Sequence, residues 1–161
     1  MEDAWFIRNV ADIPACAEPP FGAHFPFAPR GAPFADTGMN ITVLQPGEPN
    51  GRYHSESGQE DFLVLSGECI CIVHDVEHHM RAWDVFHCPG GTPHIFVGAG
   101  DGPCAILMIG AKREGETIHY PVSEVAGKYG ASVSAPTDSP AEAYADCPGI
   151  ESRVDLPWPP A

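Results

Sequence analysis

Residues 39–112 form a succession of short apolar runs broken by turn residues, a pattern that predicts an antiparallel sandwich or barrel with almost no helix. The runs cover 40–44, 51–56, 60–65, 68–74, 78–82, 84–88, 94–97 and 104–110, so about eight strands are expected, enough for two facing sheets. Reversals separate them at Pro46-Gly47, Ser57-Gly58, Ser66-Gly67, Pro89-Gly90-Gly91 and the glycine-rich 98–102. Several runs are apolar on both faces: Phe62 and Val64 alternate with Leu63 and Leu65, and Ile70 and Ile72 with Cys69 and Cys71. A barrel interior covers only one face of each strand, so the outer faces need a second cover. Two covers are expected. One is the aromatic segment 19–34, with Phe21, Phe25, Phe27 and Phe34, and the other is a second copy of the chain across a two-fold interface, making a homodimer.

Beyond residue 112 the pattern changes. A short helix is predicted over 123–129, where Ser123 can cap the exposed amides and Glu124 suits the helix start, and another over 140–145. The rest, through 155–160, reads as a tail draped over the barrel or a partner. The expected organisation is one domain over 1–161: a barrel core at about 39–112, an N-terminal wrapping segment 1–38 and a C-terminal extension 113–161.

Composition narrows the partners. A length of 161 residues with 43% hydrophobic and 19% charged residues is globular despite 18 prolines, which must sit mainly in loops and tails. Twenty-two acidic against eight basic residues give a formal charge of -14, which repels nucleic acid and acidic lipid surfaces. The start Met1-Glu2-Asp3-Ala4-Trp5-Phe6 does not read as a signal peptide, and no stretch approaches the roughly 20 apolar residues of a membrane span, so a cytoplasmic protein is expected. There the six cysteines should be free thiols, mostly small core residues.

The chemistry concentrates in Gly51-Arg52-Tyr53-His54-Ser55-Glu56-Ser57-Gly58-Gln59-Glu60. On a strand His54 and Glu56 share a face, and the reversal at 57–59 can return Glu60 beside them. His94 is the fourth candidate, re-aimed by the turn Pro89-Gly90-Gly91-Thr92-Pro93. Two imidazoles and two carboxylates suit one divalent transition metal, with zinc, iron or manganese ahead of nickel or copper. Glu56 either ligates the ion or faces water and leaves three ligands, and a metal-free polar cluster that recognises a ligand is the other reading.

Here the chain resembles the cupin superfamily, whose first motif is a glycine, His-x-His, three residues, Glu, six residues and Gly, and whose second contains Pro-x-Gly-x-x-His. His54, Glu60 and Gly67 fall at the first spacing and Pro89-Gly90-Gly91-Thr92-Pro93-His94 fits the second, within about 41–111. The resemblance implies an all-β jelly-roll barrel with His54, Glu60 and His94 as metal ligands on its inner wall. Glu56 stands where the family usually has its second histidine, Trp83 and Gly98 replace the second motif's opening glycine and closing asparagine, and Gly47 lies one residue too far from His54.

Other polar residues are read as structural: His74, His78 and His79 as a solvated hairpin, Cys69 and Cys71 as core, Arg52 and Tyr53 as interface packing, and His24 as a loop residue. His87 or Cys88 could reach the cavity beside His94. Three functions are compatible with these residues: a metal-dependent enzyme (oxygenase, isomerase or lyase) acting on a small organic molecule, a non-catalytic cupin that binds a sugar or organic acid, and a metal-stabilised structural protein. With no helix-turn-helix pattern beside the barrel, a self-contained DNA-binding regulator is not expected.

Overall fold

The protein is represented by a computed structural model that describes residues 5–153; the tail expected over 155–160 lies outside them. The fold is all-β, a two-sheet barrel with short C-terminal helices and extended segments at both ends. The strands are β1 (Ala15–Ala17), β2 (Ala23–Pro26), β3 (Thr37–Leu44), β4 (Ser55–Glu56), β5 (Glu60–Ser66), β6 (Glu68–Val73), β7 (Val76–Arg81), β8 (Val85–Cys88), β9 (His94–Ala99), β10 (Cys104–Ala111), β11 (Ile118–His119) and β12 (Glu151–Arg153). A large sheet runs β12-β1-β2-β3-β10-β5-β8, a second runs β7-β6-β9, and β11 pairs with β4. Every pairing among the described strands is antiparallel, though most join strands distant in sequence.

The inward set comes from both sheets: Leu44, Phe62, Val64, Cys69, Cys71, Cys88, Phe96, Cys104 and Ile106 form one buried cluster. Cys69 and Cys71 therefore serve as core, and every cysteine is free. Each sheet has its own outer cover. On the outer face of the large sheet, Val10, Ile13 and Phe27 cluster with Ala15 and Phe25 of its own strands β1 and β2 and with Ile41, Val43, Leu65, Ala105 and Leu107. Over the small sheet, Val125, Ala126, Tyr129 and Ala131 pack on Ile70, Ile72, Ile95 and Val97. The first cover is the aromatic N-terminal wrap, which reaches back to Val10; the second is the C-terminal extension.

Three local expectations change. The strand predicted over 51–56 is reduced to β4, because the Arg52 and Tyr53 amides donate to Tyr144 Oη (2.9 Å) and the Ala131 carbonyl (2.7 Å) instead of a neighbouring strand. Arg52 and Tyr53 are thus buried at 8% and 1% exposure within the chain, where interface packing had been expected. The helix over 123–129 shortens to α1 (Glu124–Gly127), capped as predicted by Ser123 Oγ accepting from the Ala126 amide at 3.0 Å. The helix over 140–145 is α2 (Pro140–Ala143), with Ser139 as its cap.

Candidate metal centre

Two reversals bring the site together. The 89–93 turn packs against the chain after β4: the Gly91 amide donates to the Glu56 carbonyl at 2.6 Å, and a β-carbon on Gly90 would collide with the Ser57 carbonyl. That close approach lets His54 and His94 exchange both backbone hydrogen bonds as an antiparallel bridge, 3.2 and 2.8 Å. The 57–59 reversal starts β5 at Glu60, as the spacing predicts.

His54, Glu60 and His94 then converge, each offering a donor atom within 4.8 Å of the others. Glu60 Oε2 lies 3.3 Å from His94 Nε2. Glu56 sits beside this group rather than in it, its Oε1 3.9 Å from His54 Nε2. Both imidazoles are held alike. His54 Nδ1 is 2.7 Å from the Arg52 carbonyl and His94 Nδ1 is 3.0 Å from the Thr92 carbonyl. A carbonyl only accepts, so both Nδ1 atoms carry the proton and both Nε2 lone pairs face the carboxylates.

The surroundings are apolar. His94 is 2% exposed among Phe62, Phe86 and Phe96, whose ring centroids lie 5.2, 5.9 and 6.2 Å from its own. Burial, followed by the neighbouring His54, lowers the His94 pKa to about 4, so the ring is neutral. Burial first, then the Glu56 and Glu116 charges, raises the Glu60 carboxyl to about 8. A low-dielectric setting that disfavours the Glu60 carboxylate, beside a neutral His94 and the Nε2 of His54, fits a divalent cation.

On the polar side of the triad lies a cavity of about 270 Å³ lined by Asn40, Glu56, Glu60, Met108, Lys112 and Glu116. A larger one, about 430 Å³, lies between Arg52 and residues 132–146 and contains none of the triad. Of the neighbours considered from sequence, Cys88 does reach His94, with Sγ 3.4 Å from Nδ1, whereas His87 turns outward and pairs with Asp61 at 2.6 Å. His24 is bound to Cys16, Nε2 to Sγ 3.1 Å, in the N-terminal wrap, and His78 and His79 are exposed. Sequence reasoning missed Glu116 and Tyr120, whose ring centroid is 5.7 Å from that of His54; both follow the last barrel strand, where no spacing pointed to the site.

Residues 40–110 match the Cupin domain family. Among curated proteins the chain is 28% identical over 78 residues to the HTH-type transcriptional regulator PuuR of Escherichia coli K12, a stretch covering 48% of this chain and 42% of the regulator, so it spans about two fifths of that relative's length. Among solved structures it resembles a cupin-superfamily sugar phosphate isomerase from Silicibacter pomeroyi (TM-score 0.61, 23% identity, 71% of this chain and 80% of that one). It also resembles the polyketide cyclase RemF of Streptomyces resistomycificus (TM-score 0.60, 16% identity, 70% and 83% covered). A third likeness is to a putative sugar phosphate isomerase from Acidithiobacillus ferrooxidans (TM-score 0.55, 19% identity, 62% and 65% covered). No helix among the described residues is long and apolar enough to cross a membrane. Residues 40–110 therefore match the Cupin domain family, and the chain shares the barrel fold of these solved structures.

Proposed function

We propose that His54, Glu60 and His94 hold one divalent transition metal, zinc, iron or manganese ahead of nickel or copper, in a metal-dependent enzyme acting on a small organic molecule. The observation that carries this is the convergence of two imidazoles and a carboxylate from three separate segments, with ligand atoms within 4.8 Å of one another, beside a cavity of about 270 Å³. Glu56 is the fourth ligand in this reading: its carboxylate is 3.9 Å from His54 Nε2, on the edge of the triad. A bound ion supplies Lewis-acid polarisation of a substrate oxygen. The chain's own part is to present both imidazoles in the Nδ1–H form and to keep water from the apolar side through Phe62, Phe86 and Phe96. Isomerase, lyase and oxygenase chemistry all suit such a site, and the solved relatives named as sugar phosphate isomerase and polyketide cyclase favour the first of these or a cyclisation.

Elemental analysis of the purified protein against His54→Ala and Glu60→Ala tests the site. About one ion per chain, lost in both variants, is expected, and unchanged stoichiometry refutes the assignment. Glu56→Gln should weaken metal binding without abolishing it. For the reaction, turnover of sugar phosphates and oxygen uptake by the iron-loaded protein with diketones or phenolics separate the branches.

A second reading is favoured by one observation, the likeness to a transcriptional regulator. On it the barrel binds a sugar or organic acid without turning it over, and ligand-dependent thermal stabilisation without product would support it. A homodimer is proposed on exposed apolar residues at the β8 edge, Trp83 at 74% and Val85 at 68%. Sedimentation equilibrium should return twice the chain mass.

A further inference from the structure

Arg52 lies at the start of the motif segment, and its guanidinium points away from the triad into the C-terminal extension. Nη1 donates to the carbonyls of Gly130 (2.9 Å) and Ser132 (3.1 Å), Nε donates to that of Ala143 (3.2 Å), and Nη2 reaches both carboxylate oxygens of Asp146 at 2.6 and 2.8 Å. The fork is stacked on Phe21, 5.2 Å from the ring centroid. The two carbonyls held by Nη1 flank Ala131, and the Ala131 carbonyl accepts from the Tyr53 amide at 2.7 Å. That amide belongs to the same peptide plane as the Arg52 carbonyl, which accepts from His54 Nδ1 at 2.7 Å. One rigid peptide unit therefore carries the grip on the extension at its N–H and the hold on the imidazole at its C=O.

We propose that Arg52 is a positioning residue for the metal centre: by clamping residues 130–132 it fixes the Arg52–Tyr53 peptide and so holds His54 in the Nδ1–H form, with Nε2 directed at Glu60 and His94. The inference rests on the metal-site reading above and extends it to the C-terminal extension, which becomes part of the site without touching the ion. Lysine cannot substitute. Its donors share one nitrogen and cannot span the carbonyls on both sides of Ala131 and the Asp146 carboxylate together.

The test uses the full chain with Arg52→Lys and Asp146→Ala. Nitrogen-15 histidine spectra of the metal-free protein read the His54 tautomer, and cobalt titration reads affinity and the visible bands of the bound ion. In the parent His54 should be solely Nδ1–H. Both variants should populate Nε2–H, lose about tenfold or more in cobalt affinity and shift the cobalt bands, since outer partners of ligating histidines carry effects of that size. Arg52→Lys keeps the charge, so a role resting on charge alone would survive it. Variants that fold with His54 unchanged and bind cobalt as the parent does overturn the inference, and if Arg52→Lys does not fold, Asp146→Ala decides alone. A parent that binds no cobalt sinks the metal reading instead, while the tautomer comparison still judges Arg52.

Discussion

Glu60 and His94, 3.3 Å apart, share a setting in which neither readily carries charge, and that gives the metal-free protein a characteristic pH profile. Glu60 is raised from its ordinary 4.5 to about 8, so between those values the folded state keeps a proton that the unfolded chain releases, and stability falls as pH rises through the window. His94 is lowered from 6.5 to about 4, so the unfolded chain binds the extra proton there and stability falls as pH drops. The two slopes oppose each other between 4.5 and 6.5, and only that of Glu60 remains from 6.5 to 8. Chelator-treated protein should therefore show a Tm nearly flat over the lower window and declining over the upper one. Added zinc or manganese, which needs ionised Glu60, should raise Tm more at pH 8 than at pH 6. A metal-free Tm that climbs from pH 6.5 to 8 would contradict this account. Trp83 carries a separate cost: it stands where the family motif opens on glycine and has φ +77° with its side chain 74% exposed. A bulky residue in the left-handed region is strained by roughly 1 kcal/mol, and little packing offsets it. Trp83→Gly should raise the Tm of the dilute, monomeric chain by about 2–4 °C in thermal denaturation, and weaken the proposed dimer at higher concentration.

At the scale of strands and segments, the part legible in the sequence is the part with a strict period of two. β5, β6, β8, β9 and β10 begin and end within about two residues of their apolar runs, because each alternates inward residues such as Phe62 and Val64 with outward ones such as Leu65. The reversals at 57–59 and 89–93 were equally readable, and with them the meeting of His54, Glu60 and His94. What lacked a period was not readable. Nothing in Ala15-Cys16-Ala17 or 23–26 marks a strand, and Gly51 to Tyr53 looked like one until its amides proved to serve residues 131 and 144. Nor could alternation say what would cover Ile70 and Ile72, since a segment with scattered apolar residues shows neither its face nor its target. The N-terminal wrap, by contrast, announced itself through its phenylalanines. Phe25, 5% exposed on β2 beside Ile41 and Val43 of β3, should cost about 3–5 kcal/mol when replaced by alanine, read as a lower urea midpoint. The triad lies on the inner face, so bound-metal stoichiometry should survive that change.

For the molecule as a whole, the two wraps convert a barrel that is apolar inside and out into a folded protein with a formal charge of -14. The C-terminal extension does more than shield. It fully buries Ile72, Ile95 and Val97, closes over Tyr53, and supplies the acceptors for Arg52. Complete burial of an aliphatic side chain stabilises by about 1.5–3 kcal/mol, so three such residues account for roughly 5–9 kcal/mol, as much as a whole domain of this size commonly holds in reserve. The guanidinium adds to this, because without its acceptors a buried charge would be left unpaired. A chain ending at Val122 should therefore fail to fold, giving aggregated material or a broad, non-cooperative thermal transition by circular dichroism even with saturating zinc. If that shortened chain instead melted cooperatively near the parent's Tm, the small sheet would have to be stable with its outer face in water, and the extension would be an accessory, not the second wall of the core.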